Sequence, residues 1–183
     1  MDRSEAWELL NEHVSSDYLI KHSLAAEAIM RSLAAKMGYD IDLWGVTGLL
    51  HDLDFDKTAD DPERHAQMSA EILEGRLEPE AIEAIRRHNA EMLGLTRETE
   101  FDLALTAAET ITGLIVATAL VYPDKKLASV KPKSVTKRMK EKAFAAKVNR
   151  DHIRLCEQFN MPLPEFAALS VEAMQGIADD LGL

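Results

Sequence analysis

The dipeptide His51-Asp52 constrains the fold of this chain more than any other feature, because it directly follows the apolar residues Leu49 and Leu50. These hydrophobic neighbours draw an imidazole and a carboxylate toward the interior, where an unpaired charge is costly. Buried charges are tolerated when they are paired or when they bind a metal ion. The fold must therefore bring partners for this pair from other segments of the chain.

Four further side chains of the kind that binds metal ions lie at intervals of one or two predicted helices. They are His22, His65, His88 and Glu109. Glu109 is the most informative of them, since it stands in an apolar helical segment where a carboxylate needs a partner. Taken alone, each histidine has an ordinary explanation, such as a cation favoured at a helix C-terminus for His88. His13 and His152 lack comparable settings, and we expect structural roles for them.

Apolar residues recur at helical spacing along almost the whole chain, and the sequence shows no clear pair of strands. Ser4 is expected to cap the first helix, and Pro62 and Pro79 are expected in the first turns of two others. The predicted helices cover about 4–14, 17–37, 40–55, 62–75, 79–89, 100–121, 134–147, 150–159 and 164–177. The sequence predicts an all-α fold, a compact helical bundle.

The length of 183 residues indicates a single domain over 1–183, with a metal-binding core at about 17–121 and C-terminal helices in 122–183. The apolar run 103–121 has the length of a membrane span, but it contains Glu109, so we expect a buried core helix and no membrane. The single cysteine, Cys156, fits a reducing compartment, and the N-terminus shows no signal peptide. We therefore expect a cytoplasmic protein.

Charge is distributed unevenly along the chain. The net charge is −11, yet residues 125–150 hold ten of the 21 basic residues and a single acid, Glu141. This basic tract either covers the mouth of the site and attracts an anionic substrate, or forms a solvated face that balances the acidic remainder. Nucleic acid is not expected as a partner, because Phe144 is the only aromatic residue in the tract that can stack on a base.

A mixture of imidazoles and carboxylates suits one or two divalent ions. Iron or manganese is favoured, and zinc, nickel or magnesium is an alternative. Adjacent helical side chains diverge by roughly 100°, so His51 and Asp52 can hold one ion beside the helix, or Asp52 can bridge two. Such a centre lowers the pKa of bound water and neutralises a phosphate.

The order His22, His51-Asp52, His65, His88 and then a carboxylate resembles the HD-domain metal-dependent phosphohydrolases. The stretch Gly48-Leu49-Leu50-His51-Asp52-Leu53-Asp54-Phe55-Asp56-Lys57 looks like their signature segment, and the resemblance covers about 17–121. It implies an all-α fold and hydrolysis of phosphoester bonds, often in nucleotides. The extra histidines resemble the two-metal branch, which includes diiron enzymes that act on dinucleoside polyphosphates and cyclic dinucleotides.

Carried over by position, the resemblance implies that His22, His51, Asp52 and Glu109 hold a first ion. His65 and His88 would join Asp52 on a second ion. Glu109 departs from the family pattern, which usually has aspartate there, and its extra methylene displaces the carboxylate.

Phosphate handling needs cations beyond the metal, and Lys57 and Arg64 are the best-placed candidates for a catalytic role beside Asp52. Either Asp54 or Asp56 is a candidate to orient water or to accept a proton. These features predict a phosphohydrolase for a small phosphorylated substrate, most simply a nucleotide.

Two alternatives remain open at this point. One is a non-catalytic HD domain that binds a nucleotide or a structural metal in a regulatory role, which the Glu109 departure favours. The other is an interaction module that uses the basic tract. The Met-rich apolar helices would also permit a homodimer.

Overall fold

The computed structural model describes residues 1–183 and consists of helices joined by turns, without strands. Two 21-residue helices dominate it, α2 (Asp17–Met37) and α8 (Glu100–Leu120). The shorter helices are α1 (Arg3–His13), α3 (Ile41–Leu50), α4 (Phe55–Thr58), α5 (Gln67–Leu73), α6 (Pro79–His88), α7 (Ala90–Leu93), α9 (Pro132–Arg138), α10 (Arg150–Arg154), α11 (Leu163–Gln175) and α12 (Ala178–Leu181). Two short 3-10 helices occupy Leu127–Ser129 and Leu155–Phe159. The predicted all-α fold is confirmed.

The two long helices end where the sequence predicts. Gly38 takes a left-handed conformation with φ of 83°, and its N–H closes α2 on the Ala34 carbonyl. At the start of α8, Thr99 and Asp102 form a reciprocal capping box. By length and composition α8 is apolar enough to cross a bilayer, but 67% of its most apolar window is buried inside the protein. It is the core helix that the sequence predicts.

In the first half of the chain, two predicted helix starts and one predicted helix end are wrong. The cap of α1 is Asp2, whose carboxylate accepts from the Glu5 N–H, and not Ser4. Helix α3 ends at Leu50 and not near Phe55, so the His51-Asp52 pair lies on the turn that follows. Residues 62–66 form turns, and Ala66, with φ of 71°, cannot continue a right-handed helix, so α5 begins only at Gln67.

The basic tract is less helical than predicted. Helix α9 ends at Arg138, and residues 139–149 follow as turns rather than as helix. The guanidinium of Arg150 donates to the carbonyls of Phe144, Ala145 and Val148, which replaces the bonds a helix would have made there. Helix α10 is likewise short, and the 3-10 helix Leu155–Phe159 completes the segment predicted as one helix.

The core is one continuous hydrophobic cluster that extends from Leu10 on α1 to Leu181 on α12. Within it α2 and α3 approach very closely, since a Cβ added to Gly48 would lie 2.9 Å from the Ala26 carbonyl oxygen. Phe166 on α11 is fully buried in the same cluster. The segment 122–183 therefore closes the bundle over the helices that carry the predicted metal ligands.

Candidate metal centre

Five of the predicted metal ligands converge on one buried point from four separate segments of the fold. His22 lies on the second turn of α2, His51 and Asp52 follow α3, His65 lies on the turn before α5, and His88 ends α6. The Nε2 atoms of His22 and His51 are 3.2 Å apart, and those of His65 and His88 are 3.1 Å apart. Asp52 lies between the two pairs, with its oxygens 3.4–3.5 Å from all four Nε2 atoms.

Each imidazole is oriented by a hydrogen bond from its other nitrogen, Nδ1. The acceptors are Thr112 Oγ1 for His22 at 3.0 Å, the Gly48 carbonyl for His51 at 2.8 Å, Asp54 Oδ1 for His65 at 2.9 Å and the Ile85 carbonyl for His88 at 2.6 Å. Thr112 accepts from His22 because its own hydrogen goes to the Glu109 carbonyl. A neutral imidazole with its hydrogen on Nδ1 presents a lone pair at Nε2.

The close Nε2 pairs fit a metal ion better than an empty interior. Two lone pairs that face each other at this distance repel, unless a proton or a metal ion lies between them. Ligand nitrogens bound at about 2.1 Å that subtend roughly 100° at one ion lie about 3.2 Å apart. The ligand atoms form two triads, His22-His51-Asp52 and Asp52-His65-His88. In each triad the three ligand atoms lie within 4.8 Å of one another. Asp52 belongs to both triads, so the arrangement can hold an ion in each and share one carboxylate between them.

The protonation states of His51 and Asp52 also suit a bound metal ion. Burial lowers the pKa of His51 to about 3, despite the adjacent Asp52 carboxylate, so this imidazole is neutral at pH 7. Burial alone would raise the pKa of Asp52, but His51, His88 and His22 hold it well below its usual range. A neutral imidazole and an ionised carboxylate are the forms that bind metal ions.

Asp54 supports the site rather than lying open to substrate. The carboxylate is fully buried, and it accepts from His65 Nδ1 with one oxygen and from the Ser69 N–H with the other. Asp54 therefore fixes the orientation of the His65 ring, as a carboxylate commonly does for a metal-bound histidine. The alternative in which Asp54 orients water is therefore not supported by its surroundings. Thr112, which orients His22, was not predicted, since nothing in the sequence marks a threonine on α8 as its partner.

Glu109 lies next to the cluster but outside both triads. It lines a cavity with His22 on the same side of α8 as Thr112, and it pairs with the Thr110 hydroxyl. Burial raises the pKa of Glu109 to about 7, although the nearby His22 opposes this shift. Its role as a ligand of the first ion stays a prediction.

Lys57 and Arg64, the two predicted catalytic cations, interact with residues outside the cluster. Lys57 Nζ lies 3.1 Å from His13 Nδ1, and Arg64 forms an ion pair with Glu71 at 3.1 Å. Asp56 also has a local role, since it accepts from the Ser15 N–H at 2.9 Å. No hydrogen bond or ion pair joins these side chains to the five-residue cluster, and the catalytic roles of Lys57 and Arg64 stay predictions.

Solvent reaches the centre at its two ends. The side chains of His22 and His65 are 14% and 16% exposed, whereas that of His51 is 1% exposed. Beside His22 the cavity that contains Glu109 is also lined by Lys147 and His152, so the basic tract does contribute to the mouth of the site. His152 itself is paired with Glu91 at 3.0 Å.

Comparison with known proteins agrees with this geometry. Neither the curated proteins nor the solved structures give a match to the chain. The family profile described as HD domain matches residues 19–119, more than half of the chain, and this range contains all five clustered ligands and Glu109. A fold made only of helices and a His-Asp cluster able to hold a divalent metal are both features of that family. The chain belongs to the HD domain family.

Proposed function

We propose that this protein is a metal-dependent phosphohydrolase that cleaves a phosphoester bond in a small substrate, most simply a nucleotide. The observation that carries the proposal is the pair of triads that share Asp52. Two ions side by side are a recurrent arrangement for phosphoryl transfer, and the HD domain family is typically hydrolytic. The single buried Cys156, free of any disulfide, supports a cytoplasmic setting.

The chain's own residues would hold the reacting groups in place. A divalent ion bound by the triads would supply a Lewis acid for the phosphoryl oxygens and lower the pKa of a water molecule. Thr112, Asp54 and two backbone carbonyls lock the imidazoles, so little reorganisation is needed when substrate arrives. Leu49, Leu50 and Leu53 flank the His51-Asp52 pair in sequence and are fully buried, so they anchor this turn in the core.

The direct test compares hydrolysis of a panel of nucleotides, phosphomonoesters and phosphodiesters by the parent and by Asp52→Ala, with manganese or iron added anaerobically. We expect metal-dependent release of phosphate or of a nucleotide by the parent and its loss in Asp52→Ala. Asp60→Ala is the matched control, since Asp60 is an exposed acid in the following loop. Equal turnover by the parent and Asp52→Ala would contradict the proposal.

A second candidate is a non-catalytic HD domain that binds a nucleotide or a structural metal. Glu109 favours it, because this longer acid lies outside both triads where the family usually has aspartate. Glu109→Asp separates the two candidates. Activity in the parent supports the hydrolase, whereas an inactive parent that gains activity in Glu109→Asp supports a binding role.

A further inference from the structure

Two cavities of opposite chemistry meet at His22. One, of about 280 Å³, lies between α2, α8 and the C-terminal residues, and most of its lining is apolar. The other, of about 310 Å³, is lined mainly by polar side chains from α8 and from residues 147–152. Tyr18, His22, Thr112 and Gly113 line both cavities. They therefore form one groove that passes over the exposed edge of the metal centre.

The polar side of the groove contains one cationic side chain, Lys147, that forms no ion pair within the chain. This lysine is exposed. The other basic group there, His152, is held by Glu91, and Asn149 Oδ1 accepts from the Asp151 N–H at the start of α10. Lys147 is thus the side chain that can meet an anion beside the triads, as phosphate recognition requires.

The apolar side offers large exposed apolar surfaces, and its one lysine is paired. Tyr18 is 71% exposed and Leu120 is 49% exposed at its rim, while Val116 and Ala117 line its wall. The lysine side chain there, Lys21, is paired with Asp17 at 2.8 Å. An exposed aromatic ring beside an apolar cavity is the arrangement on which a base or another planar ring stacks.

Continuity between the two sides points to a single ligand. The same four residues line both cavities, and each cavity alone is close to the lower end of the range of about 300–1,000 Å³ found for small-molecule sites. A ligand with a phosphate at one end and an apolar ring at the other would match the charge and the apolar surface of the whole groove. A sugar phosphate would leave the apolar side unfilled.

We propose that this groove selects phosphoesters that carry an aromatic ring, with the phosphate beside Lys147 and the ring on the Tyr18 side of His22. The proposal rests on the proposed function for the phosphoester nature of the ligand. It goes further by assigning recognition of the ring to Tyr18 and recognition of the phosphate to Lys147.

The test uses manganese-loaded protein and two non-hydrolysable probes, phenylphosphonate and methylphosphonate, of which only the first carries a ring. Binding by calorimetry should favour phenylphosphonate about 10-fold, as expected from stacking of one ring. Tyr18→Ala should bring the ratio of the two dissociation constants close to one. Lys147→Ala should weaken both probes equally, by about 3- to 10-fold, whereas Lys142→Ala, an exposed lysine of the same tract outside the groove, should change neither.

Because these probes are not cleaved, the result is independent of turnover. Selective binding of phenylphosphonate without hydrolysis of any ester would leave the groove proposal standing and remove the proposed function. Equal binding of the two probes by the parent, or a ratio that Tyr18→Ala does not change, would overturn the groove proposal even in an active enzyme. So would a dimer that Tyr18→Ala or Leu120→Ser converts to a monomer, since a second copy would then occupy the apolar side.

Discussion

At the scale of single residues, the metal centre depends as much on the groups behind the imidazoles as on the ligands. Four Nδ1 hydrogen bonds fix which nitrogen faces the cluster, and only one of them, from His65 to Asp54, ends on an ionised side chain. A carboxylate in this position fixes ring orientation and raises the basicity of the ligand. A substitution of Asp54 should therefore lower the metal affinity of the Asp52-His65-His88 triad while all three ligands stay in place.

Asp54→Asn should lower metal affinity about 10- to 100-fold, because the amide keeps the shape of the side chain but loses its charge and one acceptor. Competition with a chromophoric chelator measures the change. Asp60→Asn is the control, since Asp60 is exposed and lies six residues further along the loop. Unchanged affinity in Asp54→Asn would show that His65 is not a ligand or is oriented by something else.

Glu109 should make the metal-free protein sensitive to pH. Its pKa rises from 4.5 to about 7 on folding, so the metal-free parent should lose stability as pH rises through that window. The loss should be about 1–3 kcal/mol, below the full linkage value because Glu109 is partly exposed. Urea unfolding at pH 5 and pH 8 should show this loss in the parent and not in Glu109→Gln. Equal pH dependence in the two proteins would contradict the environment assigned to Glu109.

At the scale of helices, the centre depends on the close approach of α2 and α3. His22 and His51 stand on the two sides of this contact, and the Gly48 carbonyl accepts the hydrogen bond that orients His51. A side chain at Gly48 would press on the backbone of Ala26, which cannot move without α2. The small residue thus sets the spacing between the first two ligands.

Gly48→Ala should destabilise the protein by about 1–3 kcal/mol and weaken metal binding, because the added methyl group separates His22 from His51. Gly45→Ala is the control on the same helix for metal binding, since its Cβ would meet Arg31 at 2.6 Å and no metal ligand. It should also cost stability, because Arg31 is held there by ion pairs with Glu27 and Asp42. Chemical denaturation and chelator competition measure the two effects. If both variants bind metal like the parent, the α2–α3 contact does not set the geometry of the site.

The helices also show how far the sequence predicts this structure. Helical periodicity and capping residues predict α2, α6 and α8 almost to the residue, because these helices carry their own start and stop signals. The HD pattern names the five side chains that converge. The turns around His51 and His65 are not predicted, since the backbone there is decided by contacts such as that between Asp54 and Ser69, 15 residues apart in sequence.

At the scale of the whole molecule, metal binding should stabilise the bundle, since the ligands come from α2, α6 and the segments after α3 and before α5. A ligand at 100 times its dissociation constant adds about 2.7 kcal/mol, which corresponds to a rise in Tm of roughly 5–10 °C for a protein of this size. Calorimetry with and without manganese should show this rise in the parent and not in Asp52→Ala. A rise of the same size in both proteins would place the metal elsewhere.

The most direct test of the central claim is elemental analysis of the parent, Asp52→Ala and Asp60→Ala, each purified without chelator and then exposed anaerobically to iron or manganese. The two triads predict up to one ion for each triad in the parent and in Asp60→Ala, and a nearly complete loss in Asp52→Ala, because Asp52 belongs to both. No metal in any of the three proteins, or equal metal in the parent and Asp52→Ala, would contradict the account.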